Sequence, residues 1–186
     1  MTRYVMVMDT RRCIGCHSCT VACKINNDLP VDMIYNPVVT VGPEGVFPHL
    51  HINHYPLTCM HCDNPPCVGV CPTGASQQNE DGIVFVNMEK CIGCKACIQA
   101  CPYNARHSNH ETGTVVKCDF CMERVHEGEQ PYCVKTCHQN ARIFGDLDNP
   151  DSKVSILLNE VQSNRFLTEL GTDPQVYYIV SPGGQG

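Results

Sequence analysis

The sixteen cysteines of this 186-residue chain fall into four closely spaced runs. The third run spans Cys91 to Cys101 with the spacing C-x2-C-x2-C-x3-C, and Pro102 follows it. Three thiolates at this spacing bind three irons of one [4Fe–4S] cluster, and the fourth thiolate binds a neighbouring cluster. The chain therefore predicts four [4Fe–4S] clusters, held by a first run (Cys13, Cys16, Cys19, Cys23), a second run (Cys59, Cys62, Cys67, Cys71), a third run (Cys91, Cys94, Cys97, Cys101) and a fourth run (Cys118, Cys121, Cys133, Cys137).

Disulfides and zinc are the alternative roles of closely spaced cysteines. A short chain rich in cysteine can be a secreted disulfide scaffold, but residues three apart in a tight run are poorly placed to pair with each other. A zinc site needs two C-x2-C pairs on one ion, which leaves the third cysteine of C-x2-C-x2-C without a role. Either alternative also predicts a colourless protein.

The composition favours a small acidic protein with a thin apolar core. Aromatic residues make up 6% of the chain and there is no Trp, so we expect clusters to form the interior and folding to be coupled to metal binding. The formal charge is −6, and four clusters with their thiolates add about −8. Such a charge argues against nucleic acid or an anionic membrane surface as a direct partner. We expect no membrane insertion, since no stretch approaches ~18 apolar residues.

An internal repeat indicates how the runs are positioned. Apolar residues 4–8 precede the first run and residues 83–86 precede the third, each with the composition of a short strand. Gly15 and Gly93 occupy equivalent loop positions, where a tight turn around a cluster favours positive φ. Gly74, Asn104 and Asn140 follow the last cysteine of the second, third and fourth runs, and these residue types also suit positive φ.

The residues after each run suggest which runs share clusters. Pro72 follows the second run and Pro102 the third, whereas Lys24 and His138 follow the first and fourth. This favours nested pairing, although pairing of first with second and third with fourth remains the alternative. With the exchanged fourth cysteine, nested pairing predicts site 1 (Cys13, Cys16, Cys19, Cys137), site 2 (Cys23, Cys118, Cys121, Cys133), site 3 (Cys59, Cys62, Cys67, Cys101) and site 4 (Cys71, Cys91, Cys94, Cys97).

The predicted fold class is α+β, with two nested modules like bacterial ferredoxins, built of short strands and helices around cluster loops, with long loop insertions. The outer module takes residues 1–25 and 110–145, and the inner module takes 58–109. Residues 26–57 form an inserted excursion with a strand at 38–41 and a hairpin. Residues 146–186 form a partner-docking tail, with a helix over 154–161, a strand at 176–180 and a flexible end at 181–186.

The ligand pattern points to electron transfer without catalysis. Clusters with four cysteine ligands have no open iron for a substrate, and no Gly-rich phosphate loop supports a flavin or nicotinamide. Four carriers need an electron source and a sink, and the chain encodes neither. We therefore expect a non-catalytic subunit of a larger oxidoreductase.

Several motifs resemble the four-cluster iron–sulfur subunits of the dimethyl-sulfoxide-reductase superfamily, including polysulfide, thiosulfate, tetrathionate and respiratory arsenate reductases. The similarity covers nearly the whole chain. The segments 144–148 and 170–178 resemble the polysulfide and arsenate branch more than the dimethyl sulfoxide branch. The motifs that carry the resemblance are Arg12-Cys13-Ile14-Gly15-Cys16, Cys59-Met60-His61-Cys62-Asp63-Asn64-Pro65-Pro66-Cys67, Cys71-Pro72-Thr73-Gly74-Ala75 and Lys117-Cys118-Asp119-Phe120-Cys121.

The resemblance implies nested pairing, a large catalytic partner with a molybdenum or tungsten bis-pterin cofactor, and a membrane subunit that exchanges electrons with quinone. Cys97 is present, where several relatives lack a cysteine, so four [4Fe–4S] clusters are expected. We expect no targeting signal in this sequence, because Arg11-Arg12 runs directly into Cys13 and not into an apolar stretch. The family implies periplasmic export with a partner that carries a twin-arginine signal. The alternative is a free, soluble, cytoplasmic polyferredoxin.

Overall fold

The computed structural model describes residues 2–180, so the predicted flexible end at 181–186 lies outside the described residues. The predicted α+β class is confirmed. In chain order the elements are β1 (Tyr4–Asp9), α1 (Ser18–Asn26), β2 (Val38–Val46), β3 (His49–Pro56), α2 (Pro66–Gly69), β4 (Ser76–Gln78), β5 (Val84–Val86), α3 (Ala96–Gln99), β6 (Arg106–Ser108), β7 (Val115–Lys117), α4 (Met122–His126), α5 (Tyr132–Lys135), β8 (Arg142–Asp146), α6 (Lys153–Glu160), a 3-10 turn (Thr168–Leu170) and β9 (Val176–Ile179).

A three-stranded sheet with β1 at its centre joins distant parts of the chain. β1 pairs antiparallel with β8, where Met6 lies opposite Phe144, and parallel with β9, where Met6 lies opposite Val176. Side chains alternate across a strand, so Met6 and Met8 share one face and Val5 and Val7 the other. All four are at most 1% exposed, so β1 is buried on both faces.

The two faces of this sheet pack against different layers. Met6 and Met8 contact a core that includes Met60 and Phe120 from the cysteine loops. On the opposite face, the predicted C-terminal helix is confirmed as α6, and its Val154 packs with the second core, formed with Val5, Val7 and Ile179. The sheet thus supports the cysteine loops from one side only. In the described residues, no helix has both the length and the apolar character needed to cross a bilayer.

Two small hairpins accompany the second and third runs. β4 pairs with β5, and β6 pairs with β7. We predicted that the inner module ends at residue 109, but Arg106 lies opposite Lys117 across the β6–β7 hairpin. The β6–β7 hairpin therefore crosses this predicted boundary, which stays a prediction.

The excursion at 26–57 contains the predicted hairpin. β2 and β3 pair antiparallel, with a register irregularity between Val41 and Glu44. Most of the hairpin is exposed, and Val46 and Phe47 beside its turn are 80% and 84% exposed. The apolar tip thus lies on the surface and contributes little to the core.

The C-terminal tail is part of the fold as well as a predicted docking segment. β9 forms one edge of the central sheet, and Val176, Tyr178 and Ile179 are fully buried. The parallel pairing of β9 with β1 shows that this segment completes the central sheet. Its role in docking stays a prediction.

We predict that Ile179→Ala lowers the free energy of unfolding by about 2–5 kcal/mol, because it leaves a cavity in a well-packed core. The matched control is Ile156→Ala in α6, whose side chain is 46% exposed and whose loss is expected within about 0.5 kcal/mol. Denaturant unfolding of the anaerobic protein measures both. Equal midpoints for the two variants would contradict the structural role of β9.

Candidate iron–sulfur sites

Site 1 is a cavity bordered by thiols from two distant parts of the chain. Its lining includes Cys13, Cys16 and Cys19 of the first run together with Cys137 of the fourth. The first three follow β1 and enter α1, whereas Cys137 follows α5 and precedes β8. Because β1 pairs with β8, the central sheet brings the two groups to the same end of the molecule.

Site 3 is a second cavity of the same kind in the inner module. Its lining includes Cys59, Cys62 and Cys67 of the second run together with Cys101 of the third. Cys59, Cys62 and Cys67 are all buried. At sites 1 and 3, the structure therefore brings together the four cysteines predicted for each.

Site 2 is indicated by the packing of helices and by the charges of neighbouring thiols. α1, which carries Cys23, packs on α5, which carries Cys133. Burial raises the pKa of Cys23 to about 12, and the nearby thiolates of Cys133 and Cys121 contribute to this rise. Burial likewise raises the pKa of Cys118, with Cys23 the next cause. The predicted site 2 cysteines are therefore neighbours.

At site 4 the thiols are held less deeply. Cys97 is buried and packs in one apolar group with Cys91 and with Cys67 of site 3. Cys71 follows α2, which packs against α3, and Cys94 is exposed. Helix packing brings the second and third runs together here.

The donors around the thiols fit an iron–sulfur cluster. Backbone N–H groups donate to sulfur from Ser76 to Cys71 at 3.4 Å, from Val115 to Cys91 at 3.4 Å, and from Ala141 to Cys137 at 3.3 Å. Hydrogen bonds of this kind stabilise ligand thiolates and tune cluster potentials. Among residues 2–180, no group of three His, Cys, Asp or Glu side chains converges closely enough for a single ion.

The predicted loop conformations are confirmed. Gly15 and Gly93 have φ of +67° and +66°, and Gly74, Asn104 and Asn140 have φ of +64°, +50° and +47°. Glycine adopts this region at no steric cost and Asn tolerates it better than most residues. The repeated loop geometry follows directly from these residue types.

Gly93 also permits a close backbone approach. A Cβ there would lie 2.1 Å from the carbonyl oxygen of Gly113, whereas a Cβ at Gly74 would meet nothing within 4 Å. Gly113 lies in the turn between β6 and β7. The third-run loop therefore packs directly on that turn.

We predict that Gly93→Ala destabilises site 4 more than Gly74→Ala does. Both substitutions incur backbone strain of about 1–2 kcal/mol, but only Gly93→Ala forces a carbonyl away. Iron content after anaerobic purification should fall below that of the parent for Gly93→Ala and stay close to it for Gly74→Ala. Full iron content in both variants would contradict the close approach.

A ring stack connects the second-run and fourth-run loops. His61 is completely buried, and its ring stacks on Phe120 with 3.5 Å between centroids. Its Nδ1 accepts the N–H of Val84 at 3.1 Å, so this nitrogen faces β5. The stack therefore joins a loop of predicted site 3 to a loop of predicted site 2.

Three buried cations are functional candidates that sequence reasoning missed. Arg106, Lys117 and Arg142 are 4%, 6% and 3% exposed. The available signal was a repeat: each arginine comes five residues after the last cysteine of its run and directly after an alanine.

Comparisons with known proteins agree with this geometry. Two models of a 4Fe-4S dicluster domain match residues 12–75 and 50–147. A tetrathionate reductase subunit of Salmonella typhimurium is 46% identical, covering 95% of this chain and 72% of the relative. A polysulfide reductase chain of Wolinella succinogenes is 41% identical over 98% and 96%. A sulfite dehydrogenase subunit of Allochromatium vinosum is 39% identical over 96% and 83%.

The matching domain models place this chain in the class of dicluster iron–sulfur proteins. Within this class, the chain therefore belongs to the family of iron–sulfur subunits of the dimethyl-sulfoxide-reductase superfamily. Its relatives are subunits of larger oxidoreductase complexes, which is consistent with a role in electron transfer.

Proposed function

We propose that this chain is a non-catalytic subunit that relays single electrons through four [4Fe–4S] clusters. The observation that carries the proposal is the pair of cavities at sites 1 and 3, each bordered by four thiols from two different runs. When bound, such clusters accept and donate one electron at a time. The chain's own residues hold the clusters, exclude water and donate hydrogen bonds to sulfur.

We propose the nested ligand sets for all four sites. Cys137 of the fourth run beside the first-run thiols, and Cys101 of the third run beside the second-run thiols, support this pairing. The packing of α1 on α5 and of α2 on α3 supports it at sites 2 and 4.

The exposure of the thiols supports a linear relay with two ends. Cys16 of site 1 and Cys94 of site 4 are exposed, whereas Cys23 and Cys133 of site 2 and Cys59, Cys62 and Cys67 of site 3 are buried. Electrons can therefore enter or leave at sites 1 and 4, while the interior shields sites 2 and 3 from solvent.

The proposed partners are a catalytic subunit with a molybdenum or tungsten bis-pterin cofactor and a membrane subunit that reacts with quinone. The names of the relatives, which include tetrathionate and polysulfide reductases, support the class of anaerobic respiratory enzymes that act on polysulfide, thiosulfate, tetrathionate or arsenate. The exposed apolar tip at Val46 and Phe47 supports a permanent interface, which a free polyferredoxin does not need.

We propose periplasmic export together with a partner that carries a twin-arginine signal.

Metal analysis of the complex from its native cells, purified without oxygen, tests this function. We predict about sixteen irons per chain, with molybdenum or tungsten in the same fractions. Periplasmic fractionation of the complex tests its location. Iron without a second metal would favour the polyferredoxin, and zinc without iron would contradict the whole proposal.

Cys23→Ser tests the nested ligand sets. We predict that this variant loses the same electron paramagnetic resonance signal as Cys121→Ser, because both thiols belong to site 2. Pairing of the first run with the second would instead make its spectrum match that of Cys62→Ser. The comparison needs no prior assignment of signals to sites.

A further inference from the structure

The three buried cations lack the counter-charges that such groups need. None of Arg106, Lys117 and Arg142 forms a salt bridge with a carboxylate among the described residues. The Nη1 atom of Arg106 and the Nε and Nη2 atoms of Arg142 are buried without a hydrogen-bond partner. An unpaired buried charge is costly, so each cation implies an anion close by.

Arg106 lies between sites 3 and 4. It lines the cavity of site 3, and its Nη2 donates to Cys67 Sγ at 2.9 Å and to Ser76 Oγ at 2.7 Å. Cys67 packs in turn with Cys97 of site 4. Burial lowers the pKa of Arg106, but the thiolates of Cys67 and Cys97 outweigh it and raise the pKa above its ordinary value.

Arg142 occupies the corresponding place between sites 1 and 2. It lines the cavity of site 1, and α1 and α5, which carry Cys19 of site 1 and Cys133 of site 2, pack together. Burial lowers the pKa of Arg142, and the thiolates of Cys133 and Cys19 raise it by more. The repeat in the sequence thus places one arginine in each module at the same kind of position.

Lys117 lies between sites 2 and 3, where the two modules meet. Its ammonium group donates to the carbonyl oxygens of Val84 and Cys118. Val84 lines the cavity of site 3, and Cys118 is a predicted ligand of site 2. The stack of His61 on Phe120 joins the second-run and fourth-run loops at the same junction, and His61 Nδ1 accepts the N–H of Val84.

We propose that Arg142, Lys117 and Arg106 each lie in one of the three gaps between successive clusters. Each acts there as a fixed positive charge that balances the negative charge of the two flanking clusters. Each cation stabilises the extra electron on either flanking cluster and so raises both reduction potentials, since net charge and hydrogen bonds to sulfur set these potentials. The inference rests on the proposed four-cluster relay. It adds one buried cation at each gap along that relay.

A redox titration of the full-length holoprotein, followed by electron paramagnetic resonance, tests the inference. Arg106→Met should lower the reduction potentials of two of the four clusters. Arg142→Met should lower the reduction potentials of the other two. Lys117→Met should lower one potential from each pair. Each affected reduction equilibrium should weaken at least tenfold, which is about 59 mV for a one-electron couple.

Two control variants separate charge from other effects. Arg106→Lys keeps the charge but not the fork geometry, so its potentials should stay close to those of the parent. Lys153→Met removes an exposed charge from α6 and should shift none of the four. A neutral variant with full iron and unchanged potentials, a response of only one cluster to each cation, or equal shifts in Arg106→Lys and Arg106→Met would overturn the proposal.

Iron content separates the possible failures. A parent protein without clusters would contradict the proposed function itself, whereas unresponsive potentials in fully loaded variants contradict only the counter-charge role. Loss of iron in Arg106→Met but not in Arg106→Lys supports the role, because Lys keeps the positive charge and N–H donors that Met lacks. Loss of iron in both would make Arg106 a structural residue and overturn its assignment.

Discussion

The burial of thiol ligands is the constraint on which the rest of this structure depends. Iron binds the thiolate, yet burial raises the pKa of Cys62 to about 12 and that of Cys121 to about 11, and charges of neighbouring thiolates add to the effect at both. The protein must therefore compensate negative charge in its interior. Backbone N–H groups and buried cations provide that compensation. The low aromatic content also leaves little apolar core to stabilise the fold without metal.

The proposed nested arrangement makes the central sheet a structural requirement. Site 1 needs thiols from both the first and fourth runs, although the whole inner module lies between them in the chain. Pairing of Met6 with Phe144 across β1 and β8 brings these runs together. β9 then covers the free edge of β1, and α6 covers its outer face. Elements without any ligand thus hold the two outer sites in place.

Local signals in the sequence predicted much of this, and long-range pairing explains what they missed. Cysteine spacing and positive φ at Gly93 and Asn104 depend on a few adjacent residues, so they could be predicted. The parallel pairing of β9 with β1 depends on a partner that no local pattern identifies. Buried Arg142 was missed because arginine is almost always exposed unless it is paired, and its proposed partner is a cluster.

The choice between arginine and lysine at the three gaps follows from what each cation contacts. Arg106 and Arg142 line cavities bordered by sulfur, where a guanidinium presents several donors in a plane and is less strongly hydrated than an ammonium. It can therefore be buried at lower cost beside diffuse negative charge. Lys117 instead meets the carbonyl oxygens of Val84 and Cys118, which suit the compact donors of an ammonium. The junction between modules thus needs a cation that joins two backbones, whereas the gap within each module needs one that faces sulfur.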